Sequence, residues 1–273
     1  MITQRLQRCL RKASLPGSNA ALPKPFLFAL VLALAPVPAA AASAANSLPP
    51  NVNIIRETRG VIAYRALESS QLRGEERFHI SVHPDGSRTL STISRYGPPD
   101  VQRHSLYRID ADLRPMDATV QLWIDGAWRA SGQITVDGNT LTASSRTPRG
   151  NDTHALAIDQ NFAILAHQLA PDTWRLLLYN ASAKNVQPLA LYDLDPRAEG
   201  TSGILGKWTT QRVAHQGKTT VTVPAGTFET DHYRVEDAVD IYVTGPDAVL
   251  VKWRFDAIDR EHVLIELEQS SNE

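Results

Sequence analysis

The sequence predicts a mainly β protein in which a curled antiparallel sheet, either a half-barrel or a barrel, holds one short helix against it. Apolar and polar residues alternate along most of the chain from residue 59 onward, and this period of two is typical of half-buried strands. Asp-Gly pairs separate several of these stretches, as hairpin turns do. A convincing helical spacing occurs in one segment alone, so a doubly wound α/β fold, with its alternating helices, is excluded.

Residues 1–44 are predicted to form a signal peptide. This leader carries five basic residues and no acidic one, followed by an apolar run at 26–37 and by small residues at 42–44 that suit a signal peptidase. The apolar run is well short of the roughly 20 residues that cross a bilayer. We therefore expect cleavage near Ala44, a periplasmic location and no membrane span.

A flexible tail at 45–53 and a single β-rich domain at 54–269 are expected after the leader. The only cysteine, Cys9, lies in the leader, so the mature chain has no disulfide and no cysteine to carry a lipid. The mature chain keeps 23 basic residues against 29 acidic ones, a formal charge of −6. Nucleic-acid binding needs clustered cations, so this charge excludes it, and it also excludes a polybasic membrane patch.

Motifs for cofactors and metals are missing from the sequence. It contains no Gly-x-Gly-x-x-Gly, no phosphate loop, no His-Glu-x-x-His and no Gly-x-Ser-x-Gly elbow. His79 and His83 share one face of a predicted strand but stand about 13 Å apart, too far to share a metal ion. We expect neither a cofactor nor a metal site.

Hairpins are predicted for the first half of the domain. In the strand at 75–83, alternate residues from Glu76 to Val82 share one face. The Asp-Gly pairs at 125–126 and 137–138 supply the positive φ angles that tight turns need. The predicted strands are 59–67, 75–83, 87–96, 120–124, 128–136 and 140–145.

Residues 161–170 form the one predicted helix. Phe162, Leu165 and Leu169 make an apolar stripe along it, and Pro171 ends it. Strand-like patterns then continue to the end of the domain. The predicted strands are 174–179, 186–191, 205–214, 219–223, 227–236, 239–244, 249–255 and 263–268.

The most distinctive segment, at 220–230, reads Thr-Val-Thr-Val-Pro-Ala-Gly-Thr-Phe-Glu-Thr. Pro224 fixes φ at the first corner of a turn, Ala225 completes the turn, and Gly226 can take a left-handed conformation. Phe228 then re-enters the sheet. The segment predicts a rigid hairpin with a three-residue loop.

This segment resembles the Val-Pro-Ala-Gly-Thr-Phe hairpin of a family of exported bacterial β-proteins of unknown function. That family is thought to be similar to the periplasmic lipoprotein carriers, whose curved half-barrel holds acyl chains against a helix. The resemblance covers roughly residues 200–268, and 56–130 more weakly. It implies a half-barrel fold and an envelope location, and the family has no catalytic motif to transfer.

Two histidines are the catalytic candidates. His232 lies in the ionisable cluster beside the hairpin, and adjacent strand residues point to opposite faces, so Asp231 cannot pair with it. Asp240 or Asp256 on a neighbouring strand can. His167 lies within the predicted helix, where it either contacts a ligand or faces solvent.

Aromatic side chains are the ligand-binding candidates. All five tryptophans fall on predicted strands, and most are expected to fill the core. The interior of a curled sheet this large is not necessarily filled by side chains, and such cavities bind apolar ligands. Trp208 and Trp253, with Phe228 and Phe162, are the residues expected to line it.

The function expected from these observations is that of a periplasmic binding or carrier protein. Its partner would be a lipid or another hydrophobic small molecule, held in an apolar cleft between the sheet and the helix. Two alternatives remain open. One is a metal-independent hydrolase or lyase of the envelope that uses histidine and carboxylate residues. The other is a structural or assembly factor that recruits an envelope protein through exposed sheet edges.

Overall fold

One curled, predominantly antiparallel sheet dominates the fold. The structure is a computed structural model, and it describes residues 54–183, 185–194 and 203–271. Within these residues, fifteen strands join a single sheet whose two edge strands do not pair with each other. The predicted class, a mainly β fold with a curled sheet and one short helix, is confirmed. The expected signal peptide and tail, at 1–53, lie outside the described residues.

The first eight strands form a meander that runs from the centre of the sheet to one edge. Each pairs antiparallel with its neighbour along the chain. They are β1 (Arg56–Ala66), β2 (Leu72–Val82), β3 (Arg88–Tyr96), β4 (Val101–Ile109), β5 (Pro115–Ile124), β6 (Ala127–Asp137), β7 (Thr140–Thr147) and β8 (Gly150–Ala157).

The other seven strands run from the opposite edge back to the centre. The first two of them pair in parallel, the rest pair antiparallel, and the last pairs with β1. They are β9 (Phe162–Leu165), β10 (Gln187–Leu194), β11 (Gly206–Val223), β12 (Gly226–Val235), β13 (Val239–Thr244), β14 (Val249–Phe255) and β15 (Arg260–Ser271).

Three of the fifteen strands are not predicted from the sequence; β4 and β8 fall on stretches with no predicted element, and β9 falls on the predicted helix. In β4 every second residue is buried, but two of the buried positions hold Arg103 and Ser105 instead of apolar residues. Their polar side chains bond to the chain segment inside the curl, so the strand does not show the expected apolar alternation. β8 is an edge strand, mostly exposed and rich in polar residues.

The helix predicted at 161–170 is wrong in its position. Phe162–Leu165 is the short strand β9, buried on both faces, and the helix α1 spans Leu169–Asp172. A 3₁₀ helix at Thr173–Leu178 follows α1, where the sequence predicts a strand. A short run of apolar residues fits a buried strand as well as a helical stripe, so periodicity alone does not separate the two.

The α1 segment packs on the inner side of the curled sheet. It contacts β2, β3 and β14, strands from both halves of the sheet. The two edges of the sheet are also brought near each other, because only four residues separate β8 from β9. His154 on β8 and Tyr192 on β10 share a 2.5 Å hydrogen bond, and the backbone N–H of Ile204 donates to Ser145 on β7 at 3.0 Å. Hydrogen bonds that involve side chains thus link strands near the two edges, which the backbone leaves unpaired.

The predicted turns occur where expected. Asp125 and Gly126 both have positive φ, 52° and 75°, which is the geometry of a tight hairpin. The hairpin between β11 and β12 has a two-residue loop instead of the expected three, because Val223 pairs directly with Gly226, whose φ is 142°. None of the helices in the described part of the chain has the length and apolar character that crossing a membrane requires.

Candidate functional site

A cavity of about 1110 Å³ opens at one end of the curled sheet. Its rim comes from the connections after β1, β3, β12 and β14, and its inner side from the segment between Leu165 and Arg175. Apolar side chains from several strands line it, including Leu72, Val101 and Val239. The sheet and the α1 segment therefore enclose a space between them.

A row of aromatic rings forms one wall of the cavity. The ring of His262 stacks on Trp253 with centroids 4.8 Å apart, and Tyr64 contacts the other side of His262 at 4.5 Å. Tyr96 continues the row 5.9 Å from Tyr64, and Phe255 extends it 6.0 Å beyond Trp253. Contacts of this kind hold the rings in fixed positions and give the wall a rigid apolar surface.

His262 is uncharged within this wall. Only 7 % of it is exposed, and its Nδ1 has no hydrogen-bond partner in the described residues. Burial, together with the positive charges of Arg260 and Arg73, lowers the pKa of His262 to about 3. The imidazole therefore acts as a neutral aromatic surface with one unused ring nitrogen.

Two buried arginines flank the α1 segment beside the cavity. Arg103 Nη1 donates to the backbone oxygen of His167 at 3.0 Å, and its guanidinium lies 5.5 Å from the ring centroid of Tyr96. Arg175 Nη1 donates to the backbone oxygen of Asp172 at 2.6 Å, while its Nε has no partner in the described residues. Burial lowers the pKa of Arg175. A guanidinium normally satisfies its donors, so this Nε–H is an unsatisfied donor buried within the protein.

The carboxyl group of Asp172 lies close enough to Arg175 and His167 for their charges to act on it. Its loss of water contact raises its pKa, and the charges of Arg175 and His167 offset that effect only in part. It accepts a 2.9 Å hydrogen bond from the backbone N–H of Ala166. Asp172 is thus a buried carboxyl group held by the backbone of the segment that it belongs to.

His167 lies at the cavity with its ring exposed and has a φ of 60°. Its Nε2 is 2.8 Å from Oδ1 of Asp193 on β10. Partial burial opposes protonation of the ring, but the hydrogen bond to Asp193 and the charges of Asp172 and Asp193 outweigh it, so the pKa of His167 is raised. A histidine that lines the cavity is therefore paired with a carboxylate on β10.

A buried polar group fixes the α1 segment behind the cavity. Gln168 is fully buried, and its amide nitrogen donates to Thr92 at 3.3 Å and to Ser94 at 3.2 Å. The Ser105 hydroxyl donates to the amide oxygen of Gln168. These bonds attach the segment to β3 and β4 and so set the depth of the cavity.

The predicted ligand-binding residues separate into two groups. Trp253 lines the cavity. Phe162 and Trp208 do not; they pack against each other edge to face, with ring centroids 5.0 Å apart, and Trp208 also contacts Tyr192 at 5.5 Å. Phe228 packs on the core and is not among the cavity residues either. Three of the four candidates are thus placed in or against the core away from the cavity.

His232 lies away from the cavity. Tyr233 and Val235, its neighbours in β12, are buried in the core, and His232 belongs to the opposite side of the strand. Its Nε2 is 2.8 Å from Asp240, one of the two acids expected from the sequence, and its ring stacks on Tyr242 at 4.3 Å. These two contacts give His232 a structural role on the surface of the sheet.

Sequence reasoning missed the polar residues of the site: Arg103, Arg175, Asp193 and His262. Arg103 carries a usable signal, because it occupies an inward position between Val101 and Ser105 in a strand-like alternation. For Arg175, Asp193 and His262 the sequence gives no such signal, and their place at the site follows only from the folded structure.

No protein-family model matches the chain, and the comparison with curated proteins finds no match. Among the described residues, no three histidine, cysteine, aspartate or glutamate side chains are grouped as metal ligands.

Proposed function

We propose that the protein is a periplasmic binding or carrier protein that holds a lipid or another hydrophobic small molecule. The observation that carries the proposal is the cavity of about 1110 Å³ between the sheet and the α1 segment, with its wall of stacked aromatic rings. Ligand pockets in proteins usually measure about 300–1,000 Å³, so this one has room for an extended apolar molecule.

Burial of apolar surface would supply most of the binding free energy. Each methylene removed from water contributes about 0.8 kcal/mol, and association itself costs at least about 4 kcal/mol. A short apolar ligand would therefore gain little, whereas a chain of roughly ten methylenes would bind. The proposal thus favours long-chain ligands.

Two expectations from the sequence support the same proposal. The leader at 1–44 is typical of export, and the hairpin at 220–230 resembles that of a family similar to periplasmic lipoprotein carriers. Export places the protein between two membranes, where a water-insoluble molecule needs a carrier to cross.

The test is native mass spectrometry of the protein purified from its own periplasm, followed by denaturing extraction. We expect a co-purifying apolar molecule with the wild-type protein. Ala238→Trp, at the cavity rim, should reduce its occupancy, and Ala127→Trp, on an exposed position of β6 outside the cavity, should not. An empty wild-type protein that also fails to bind added lipid extract or an apolar dye would overturn the proposal.

A metal-independent hydrolase or lyase of the envelope is the second candidate function. The pair formed by His167 and Asp193 favours it, because a histidine held by a carboxylate is the usual arrangement of a general base. Under this proposal His167→Ala abolishes turnover of an ester or glycan substrate. His232→Ala removes a similar histidine–carboxylate pair outside the cavity and is the matched control. Equal activity in the two variants would remove this candidate.

A further inference from the structure

Three aromatic rings lie on the outer face of the sheet, away from the cavity. Arg103 and Ser105 of β4 are buried inside the curl, so His104 between them faces outward. Its ring contacts Trp123 of β5, with centroids 4.9 Å apart. Trp123 pairs directly with Trp128 of β6, and direct partners share one face of a sheet. His104, Trp123 and Trp128 thus form an aromatic platform on the outside of the curl, and none of them lines the cavity.

The two tryptophans of this platform contribute little to the core. Both are partly exposed, and neither packs on the hydrophobic core of the described residues, whereas Trp208 and Trp253 do. Neither indole N–H has a hydrogen-bond partner in the described part of the chain. Ile93, the β3 partner of His104, adds an apolar side chain that is 49 % exposed. Tryptophans that offer a ring face and a free N–H to solvent are typical of binding surfaces.

Neutral polar side chains lie beside the rings. Gln102 is the β4 partner of Trp123, and its amide nitrogen donates to Nε2 of His104 at 2.7 Å. Its amide oxygen accepts no hydrogen bond from the described residues. Gln121 and Ser131 pair with each other across β5 and β6 on the same outer face, and Gln121 also pairs with His104. The platform therefore combines ring faces with amide and hydroxyl groups that can donate and accept hydrogen bonds.

Arg146 of β7 brings a positive charge to the platform. It is exposed, its guanidinium carbon lies 5.9 Å from the ring centroid of Trp128, and it has no ion-pair partner among the described residues. The mature chain as a whole has a formal charge of −6. An unmatched cation beside aromatic rings on an acidic protein attracts an anionic ligand.

The acids around the platform do not neutralise this charge. Asp100 pairs with Arg95 at 2.8 Å, and Asp117 pairs with Arg108. Asp125, in the turn between the two tryptophans, accepts the backbone N–H of Asp100 at 3.0 Å and forms no ion pair within the described residues. The charge of Arg146 is therefore open to a carboxylate from outside the chain.

We infer that the platform is a second binding site and that it takes an acidic saccharide, with sugar rings stacked on Trp123 and Trp128 and a carboxylate at Arg146. A sugar ring has an apolar face of C–H groups that can cover an indole. Its hydroxyl groups project from the edge, where the amides of Gln102 and Gln121 can reach them. An acidic peptide lacks the ring faces, and a neutral sugar leaves Arg146 without a counter-charge. This site is separate from the cavity and does not depend on the proposed carrier function.

The experiment compares three soluble hexamers by isothermal titration at low ionic strength, where charge contacts are least screened. Hexagalacturonate supplies sugar rings and carboxylates, cellohexaose supplies sugar rings alone, and hexaglutamate supplies carboxylates alone. We expect hexagalacturonate to bind most tightly, by about ten-fold over hexaglutamate and by about three-fold or more over cellohexaose.

Variants of the platform locate the site. Trp123→Ala and Trp128→Ala should each weaken hexagalacturonate binding about ten-fold. Both should unfold near the wild-type urea concentration, because neither ring packs on the core. Arg146→Gln should reduce the preference over cellohexaose to within about two-fold. Tyr242→Ala is the matched control and should bind as the wild type does, since it removes an aromatic ring stacked on His232 at the surface of the other half of the sheet.

Four results would overturn the inference in whole or in part. Failure of both saccharides to bind removes the site, and equal binding of hexaglutamate and hexagalacturonate shows a surface that recognises charge alone. Cellohexaose that binds as tightly as hexagalacturonate overturns the acidic class and the role of Arg146. Affinity retained in both tryptophan variants places the saccharide elsewhere. The carrier function is tested by the apolar molecule in the cavity, so none of these results decides it.

Discussion

Glu76 accepts a 2.7 Å hydrogen bond from the backbone N–H of Ala170, and this contact ties the α1 segment to the middle of β2. The other carboxylate oxygen accepts the N–H of Leu169 at 2.9 Å and the hydroxyl of Tyr64. Burial raises the pKa of Glu76 despite these three donors. One fully buried carboxyl group thus connects the first half of the sheet, the inner segment and the aromatic wall of the cavity.

We expect Glu76→Gln to destabilise the protein by about 2–4 kcal/mol. An amide has only one acceptor oxygen, so its NH₂ group would face a backbone N–H and leave a buried donor without a partner. Urea unfolding followed by circular dichroism measures the change. Glu75→Gln, at the partly exposed neighbouring position, is the control and should change stability by less than about 0.5 kcal/mol. Equal stability of the two variants would contradict the anchoring role.

The low pKa of His262 makes stability depend on pH. The unfolded chain takes up the proton near pH 6.5, whereas the folded protein resists it down to about pH 3, so stability is lost as the pH falls through this range. At pH 5 the loss is about 2 kcal/mol relative to pH 7.5. His262→Phe keeps an aromatic ring beside Trp253 and should remove this share of the dependence. Parallel pH profiles of unfolding free energy for the variant and the wild type would show that the histidine is not responsible.

The class of fold follows from the sequence because side-chain alternation and turn chemistry are local properties. The Asp125-Gly126 turn and the strands β13 and β14 match their predicted positions for that reason. The segment after residue 161 does not, since a run of apolar residues buried on both faces carries no period. The contact of Arg103 with the backbone oxygen of His167 joins residues far apart in sequence, and that proximity depends on the complete fold.

Trp253 and Trp208 should respond differently to truncation. Trp253→Ala removes part of the cavity wall and should weaken binding of a long-chain apolar ligand about ten-fold. Trp208→Ala removes a ring that packs on Phe162 and Tyr192, so it should cost about 2–4 kcal/mol of stability and leave affinity nearly unchanged. Titration and urea unfolding of both variants distinguish the two effects. A loss of affinity in Trp208→Ala that equals the loss in Trp253→Ala would place the ligand elsewhere.

Gln168→Leu should destabilise the protein by about 3 kcal/mol. The apolar replacement has a similar size but leaves the hydroxyls of Thr92, Ser94 and Ser105 without their buried partner. Thermal and urea unfolding measure the effect. Gln121→Leu, at an exposed position of β5, is the matched control and should be near neutral. A neutral Gln168→Leu would mean that these hydroxyls find other partners.

The pairing of β1 with β15 has a consequence for how the chain assembles. Among the described strands it is the only neighbouring pair distant in sequence, since every other neighbour in the sheet is also the next strand along the chain. Residues 56–157 can therefore assemble from local hairpins, whose formation requires little loop-closure entropy, and residues 162–271 can do so except at the parallel pair of β9 and β10. The single long-range step is the joining of these two halves at β1 and β15. Arg56 and Ser271 are partners at one end of that seam, so a force that separates them unzips the seam one hydrogen-bonded pair at a time.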